Sequence, residues 1–181
     1  MQKNVLAIVG SLRADSFNLK LAQLAQEASW GIFDFEIATL NDIVPFNQDL
    51  ENDTPEAITQ LREKVKLADG IWFFSPEYNH SIPGVLKNTI DWLSRPTSDG
   101  VRVLPHKKAA LSGITPGMAG TAICQDHLVS VLSFLDVDIM NVPRLTIPHA
   151  YDLLKDDVLD LGESTKYLKR QVEAFAAYLD K

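Results

Sequence analysis

Apolar and polar positions come in blocks along this chain. Residues 4–9, NVLAIV, form a short apolar run that ends at Gly10 and Ser11. Consecutive apolar positions suit a strand buried on both faces. Beyond it Phe17, Leu21, Leu24 and Ala28 recur at i, i+4, i+7 and i+11, which is the spacing of one helix face. FDFEIA at 33–38 alternates apolar with acidic residues and predicts a second, more exposed strand. Residues 41–53 are polar and irregular. Thr54-Pro55-Glu56 then predicts a helix start, with Thr54 as N-cap and Pro55 in the first helical position. Ile58, Leu61, Val65 and Ala68 continue that helix as far as Gly70.

The second half repeats the scheme. IWFFS at 71–75 predicts a buried strand stopped by Pro76. Pro83 and Gly84 open a helix carried by Leu86, Ile90 and Leu93 and closed before Pro96. A loop over 96–106 holds a turn at Asp99-Gly100. KAALSG at 108–113 predicts a fourth strand, and ITPGMAGT a glycine-containing loop. Leu128, Val131, Leu132 and Leu135 mark a fourth helix, VDIMNV at 137–142 a fifth strand, and Leu168, Val172, Phe175 and Leu179 a last helix. DLLKDDVLDLGE at 152–163 reads as a solvated acidic connection. Five strands alternating with helices predict an α/β fold, a doubly wound parallel sheet with helices on both faces. A length of 181 residues, with no linker or internal repeat, fits a single domain over 1–181.

Charge and composition narrow the partners. Lys and Arg number 17 against 24 Asp and Glu, a formal net charge of −7. The longest basic run is Lys107-Lys108, so neither a nucleic acid nor an anionic membrane surface is an expected partner. Cys124 is the only cysteine, which excludes an internal disulfide. The opening apolar stretch is shorter than a secretory leader core, so a cytoplasmic location is expected. His80, His106, His127 and His149 lie too far apart in sequence for metal-ligand spacing. Cys124 is expected as a small packed residue, and Trp30, Trp72 and Trp92 as core or interface residues.

Candidate chemistry gathers in three loops that leave the carboxyl ends of predicted strands, where open parallel sheets bind ligands. The first, GSLRADSFN, pairs a helix N-terminus with the hydroxyls of Ser11 and Ser16, the amide of Asn18 and the charge of Arg13. Such a set can hold a phosphate. Equally, Ser16 can cap the helix while Arg13 stays solvated. The loop has no G-x-x-x-x-G-K-[ST] and no G-x-G-x-x-G, so nucleotide triphosphatase and dinucleotide fingerprints are absent. The second loop, SPEYNHSIPG, is stiffened by two prolines and a glycine. Its peptide groups can meet the edge of a planar heterocycle, with Tyr78 near the ring and Asn79 bracing the turn; a plain turn with Tyr78 half buried serves as well. Glu77 is expected as an exposed carboxylate. The third loop offers Thr115 and glycine N–H groups.

GSLRADSFN followed by SPEYNHSIPGVLKNTIDWLSRP resembles the NADPH-dependent FMN reductase family of flavodoxin-like proteins, and within it the quinone and chromate reductases. The resemblance implies sheet order 2-1-3-4-5, bound FMN, and NAD(P)H as co-substrate. It implies that Ser11, Arg13, Ser16, Phe17 and Asn18 hold the phosphate and ribityl end. Pro76, Glu77, Tyr78 and Asn79 would lie along the isoalloxazine ring, with Thr115 as a further contact. It implies hydride transfer to a small-molecule acceptor (quinone, flavin, azo compound or metal oxyanion) in a homodimer or homotetramer. A flavodoxin-type electron carrier is the rival reading. One departure stands out: where similar reductases often carry arginine before a Cys-Gln pair, this chain has Ile123, and Thr121 replaces a glycine.

Overall fold

The computed structural model describes residues 2–181. Strands β1 (Lys3–Val9), β2 (Phe33–Ala38), β3 (Gly70–Phe74), β4 (Lys108–Ile114) and β5 (Asp138–Ile139) lie in the order β2-β1-β3-β4-β5, as the resemblance implies. Every pairing on that path is parallel. Helices α1 (Phe17–Ala28), α2 (Glu56–Leu67), α3 (Gly84–Ser94), α4 (Ala122–Phe134) and α5 (Thr165–Leu179) cover the sheet.

Strand pleating divides the core into two layers, because successive side chains point to opposite faces. Val5, Ala7, Val9, Trp72 and Phe74 pack under α1 and α5, against Leu21, Ala25, Val172 and Phe175. Leu6, Ile8, Ile71, Phe73 and Leu111 pack under the other three helices, against Leu61, Ile90 and Leu128. One buried polar relay crosses the first layer. Trp72 Nε1 donates to Ser112 Oγ at 2.8 Å, Ser112 Oγ donates to Gln171 Oε1 at 2.6 Å, and Gln171 Nε2 donates to the Leu111 carbonyl at 2.8 Å. It ties α5 to the centre of the sheet.

Four sequence expectations need correction. Pro55 stands outside α2, with ψ at 142°, because the helix begins at Glu56. Thr54 caps nothing there; its hydroxyl donates to the Glu51 carbonyl at 2.9 Å and closes the 3-10 turn Gln48–Asp53. The fifth strand is cut in two. Met140 N–H still donates to Ala109, but Pro143 has no N–H to offer a ladder, and pairing with β4 resumes only at β6 (Leu145–Ile147). The acidic connection is not simply solvated: β7 (Leu154–Lys155) and β8 (Val158–Leu159) form an antiparallel hairpin, and Leu159 and Leu161 enter the core. Trp72 and Trp92 are buried as expected, whereas Trp30 is 91% exposed.

Candidate functional site

Parallel strands place the loops after β1, β3 and β4 on one rim. The chain runs from β1 outward to β2 and then back across β1 to β3, so the strand order reverses between β1 and β3. That reversal opens the crevice at which such sheets bind ligands.

The loop after β1 is built around two buried serines. Ser16 is the N-cap of α1, and its Oγ accepts from the N–H groups of Asn18 at 3.2 Å and Leu19 at 3.4 Å. Ser11 Oγ accepts from Arg13 N–H at 3.4 Å. Each hydroxyl therefore acts as an acceptor toward the backbone and keeps its own proton to donate. The Arg13 guanidinium is exposed and lies 5.8 Å from the centre of the Phe17 ring. Among the described residues it forms no ion pair. The neighbouring Asp15 is neutralised by Lys20 at 2.6 Å, and that hydrogen bond holds its carboxyl below the usual range. An anion at this helix end would thus meet donors and no unpaired carboxylate.

Phe17 and Asn18 turn inward. Phe17 packs edge-on against Tyr151, ring centres 5.3 Å apart. Asn18 is buried, with both ends of its carboxamide engaged by one residue. Its Nδ2 donates to the Ile114 carbonyl at 2.9 Å, and its Oδ1 accepts from Ile114 N–H at 3.1 Å. Asn18 thereby clamps the first loop to the end of β4, where the third loop begins.

The loop after β3 is a rigid double turn. Pro76 is buried. Asn79 and His80 both adopt positive φ, 50° and 58°, and Tyr78 and Ser81 exchange two backbone hydrogen bonds at 3.1 and 3.0 Å. Two left-handed residues between paired neighbours match a type I′ hairpin turn, which asparagine tolerates well. Tyr78 is 46% exposed, half buried as the plain-turn reading has it. Glu77 departs from expectation. Its side chain is only 8% exposed, and its Oε2 accepts from Cys124 N–H, at the start of α4, at 3.0 Å. The open helix end draws the carboxylate inward.

The third loop is pinned by its neighbours. Thr115 N–H donates to Ile147 at 3.0 Å, and its carbonyl accepts from Ala150 at 3.2 Å, which leaves the half-buried side chain at the rim. Thr121 is buried against Gly113, where an added Cβ would stand 2.2 Å from Thr121 Oγ1 and 2.3 Å from the Ser75 carbonyl. Cys124 is a packed residue as expected; burial pushes its thiol up to about 11. The rim is a ledge of peptide edges and half-exposed side chains. The hollow of about 610 Å³ beside the β7–β8 hairpin lies elsewhere, lined by Leu24, Leu161 and Leu168.

The ten residues singled out from sequence therefore gather on one rim, eight on its three loops and Phe17 and Asn18 in the first turn of α1, with Asn18 and Glu77 joining the loops from inside. Tyr151 escaped sequence reasoning, because nothing in its neighbourhood marks a residue that packs on the first loop. Among the described residues no group of histidine, cysteine and acidic side chains could hold a metal ion, and no helix is long and apolar enough to cross a membrane.

Known proteins resemble this chain over most of its length. The NADPH-dependent FMN reductase family model matches residues 3–152. A 2-hydroxy-1,4-benzoquinone reductase from a Burkholderia species is 37% identical over 99% of this chain and 97% of its own length. An NAD(P)H-dependent FMN reductase from Pseudomonas aeruginosa is 40% identical, over 97% and 94%. Among solved structures, FerB, a flavoenzyme NAD(P)H:(acceptor) oxidoreductase from Paracoccus denitrificans, superposes with a TM-score of 0.89 at 34% identity, covering 98% of this chain and 97% of that one. An archaeal flavodoxin, TM-score 0.64 at 13% identity, shares the fold. With the flavodoxin-like sheet, the three loops and these full-length likenesses together, the chain belongs to the NADPH-dependent FMN reductase family, an oxidoreductase family that works with FMN and NAD(P)H.

Proposed function

We propose that this chain binds FMN across the three loops and uses NAD(P)H to reduce quinones. The uncommitted donor set of the first loop carries this reading: two buried serine hydroxyls with protons to give, and an arginine that has no carboxylate partner among the described residues. A phosphate carries nearly −2 at neutral pH and needs that complement of donors. Ser11, Ser16 and Arg13 hold the phosphate. Phe17 gives the loop its apolar floor. The peptides of Pro76, Glu77, Tyr78 and Asn79 lie along the isoalloxazine edge, fixed by the hairpin turn, and Thr115 closes the ledge from the β4 side.

FMN, when bound, supplies hydride transfer from the nicotinamide to the acceptor. The protein orients both partners. Tyr78, half exposed on the rim, leaves the ledge open to solvent, so reductant and acceptor use the same place in turn, a ping-pong scheme. We assign no side chain as general acid or base. Quinones are preferred among the acceptors because the 37%-identical full-length relative is named for a benzoquinone; flavins, azo compounds and metal oxyanions fit the same open ledge. Exposed Met118 and Tyr151 beside the loops suit cover by a second copy, in a homodimer or homotetramer.

Steady-state oxidation of NADH and NADPH by FMN-loaded protein with 1,4-benzoquinone tests the activity. Sustained quinone-dependent turnover that disappears on FMN removal supports it. A yellow protein that reduces no quinone from either nucleotide refutes it and favours an electron carrier.

A further inference from the structure

Helix α4 begins without a cap of its own. Thr121 occupies the N-cap position, yet its hydroxyl makes no bond to the helix end and accepts from Gln125 Nε2 at 3.0 Å instead. The first N–H groups of any helix need acceptors from outside it. Here the acceptor comes from 47 residues away in sequence: Glu77 Oε2 takes the Cys124 N–H at 3.0 Å. Glu77 is nearly buried, and His80 Nδ1 lies 3.4 Å from its other oxygen. Its neighbours Pro76 and Tyr78 belong to the rigid double turn. Directly behind the contact, Ser75 Oγ lies 3.3 Å from Cys124 Sγ. One carboxylate thus joins the turn after β3 to the helix that follows the third loop.

We infer that Glu77 is a positioning residue: its carboxylate is the borrowed cap of α4, and through that bond it fixes the ring-side turn and the first turn of α4 as one unit. In the FMN reading this sets where the peptides of the 76–79 segment stand. The consequence for FMN rests on that reading, but the clamp itself does not. The role needs an acceptor atom at the helix end, so Glu77→Gln keeps part of it and Glu77→Met, similar in length, keeps none. Both variants lose the charge, so comparing them isolates the acceptor.

Cys124 supplies the reporter, because it is the only cysteine and is buried on the clamped turn. Native protein without added flavin is labelled with N-ethylmaleimide at fixed pH in low urea and followed by intact mass. Labelling of Glu77→Met is expected to run at least tenfold faster than wild type, with little dependence on urea, the mark of local opening rather than global unfolding. Glu77→Gln is expected at least fivefold slower than Glu77→Met. In fluorescence titrations FMN affinity is expected to fall at least fivefold in Glu77→Met and to recover in part in Glu77→Gln. Equal labelling of Met variant and wild type, or of Met and Gln variants, overturns the inference. Amide exchange in the unsubstituted protein gives the answer if Glu77→Met fails to fold. The Cys124 N–H is expected to exchange at least tenfold more slowly than that of Ile123, and equally fast exchange refutes the clamp. The labelling contrast between wild type and the two variants, found together with a wild type that binds no FMN, would refute the cofactor reading and leave the clamp standing.

Discussion

Replacing Asn18 by alanine should be among the costliest single changes at the rim. The substitution removes no charge and little apolar surface. It strands two backbone groups: the N–H and the carbonyl of Ile114, a residue buried to 1% exposure at the end of β4. Leaving one buried donor or acceptor unsatisfied costs ~1–3 kcal/mol. Two such groups, with partial relief from a water in the space vacated, give ~2–5 kcal/mol. At ~2–4 °C per kcal/mol for a domain of this size, the melting temperature should fall by roughly 5–15 °C. Circular dichroism melts of flavin-free protein measure this directly. Ser16→Ala is the internal yardstick, because loss of an N-cap costs ~1 kcal/mol and should shift the midpoint by only ~2–4 °C. Asn18→Asp separates donor from acceptor. Its carboxylate can still accept from Ile114 N–H, but it faces the Ile114 carbonyl with a lone pair. The buried acid is therefore held neutral to higher pH in the folded state than in the unfolded chain. A group with a raised folded pKa stabilises most below its unfolded value of ~3.9 and loses that contribution as pH rises through the folded value. The deficit of Asn18→Asp relative to wild type should thus be larger at pH 8 than at pH 5. An Asn18→Ala protein that melts within ~2 °C of wild type, or an aspartate variant with no such pH trend, would refute the clamp.

Other consequences are as specific. Arg13→Ala removes a charge-assisted partner worth ~1.5–3 kcal/mol and should weaken FMN binding roughly 10- to 100-fold, read by flavin fluorescence quenching. Gly113→Ala would force a methyl to within 2.2 Å of Thr121 Oγ1 and 2.3 Å of the Ser75 carbonyl. It should lower stability by at least ~1–3 kcal/mol in urea titrations, and Thr121→Gly should restore only part, since the carbonyl cannot move aside. Because burial pushes the Cys124 thiol up to about 11, alkylation of the native protein should keep rising through pH 8–10 without a plateau, as the reactive thiolate grows with pH.

The sheet was legible in the sequence because buried parallel strands and amphipathic helices write unmistakable periods, and NVLAIV and IWFFS could hardly be anything else. The three loops were legible because their unusual residues cluster beyond strand ends. What escaped was whatever depends on a partner distant in the chain. The pairing of Asn18 with Ile114 spans 96 positions, and that of Glu77 with Cys124 spans 47. Neither leaves a local pattern, so Glu77 read as a solvated acid and Asn18 as a loose donor. The split of the fifth strand turned on Pro143, one residue past the segment VDIMNV whose composition favoured a continuous strand. The hairpin at 154–159 was hidden by acidic residues that outnumber the leucines it buries.

The central claim is that the first loop grips the phosphate of a flavin laid across the rim. The most direct measurement is a paired titration of wild type and Arg13→Ala with FMN and with riboflavin, which lacks the phosphate. Wild type should bind FMN at least tenfold more tightly than riboflavin, and that preference should collapse in Arg13→Ala while riboflavin affinity holds. Equal affinity of wild type for the two flavins, or a preference untouched by Arg13→Ala, would contradict it.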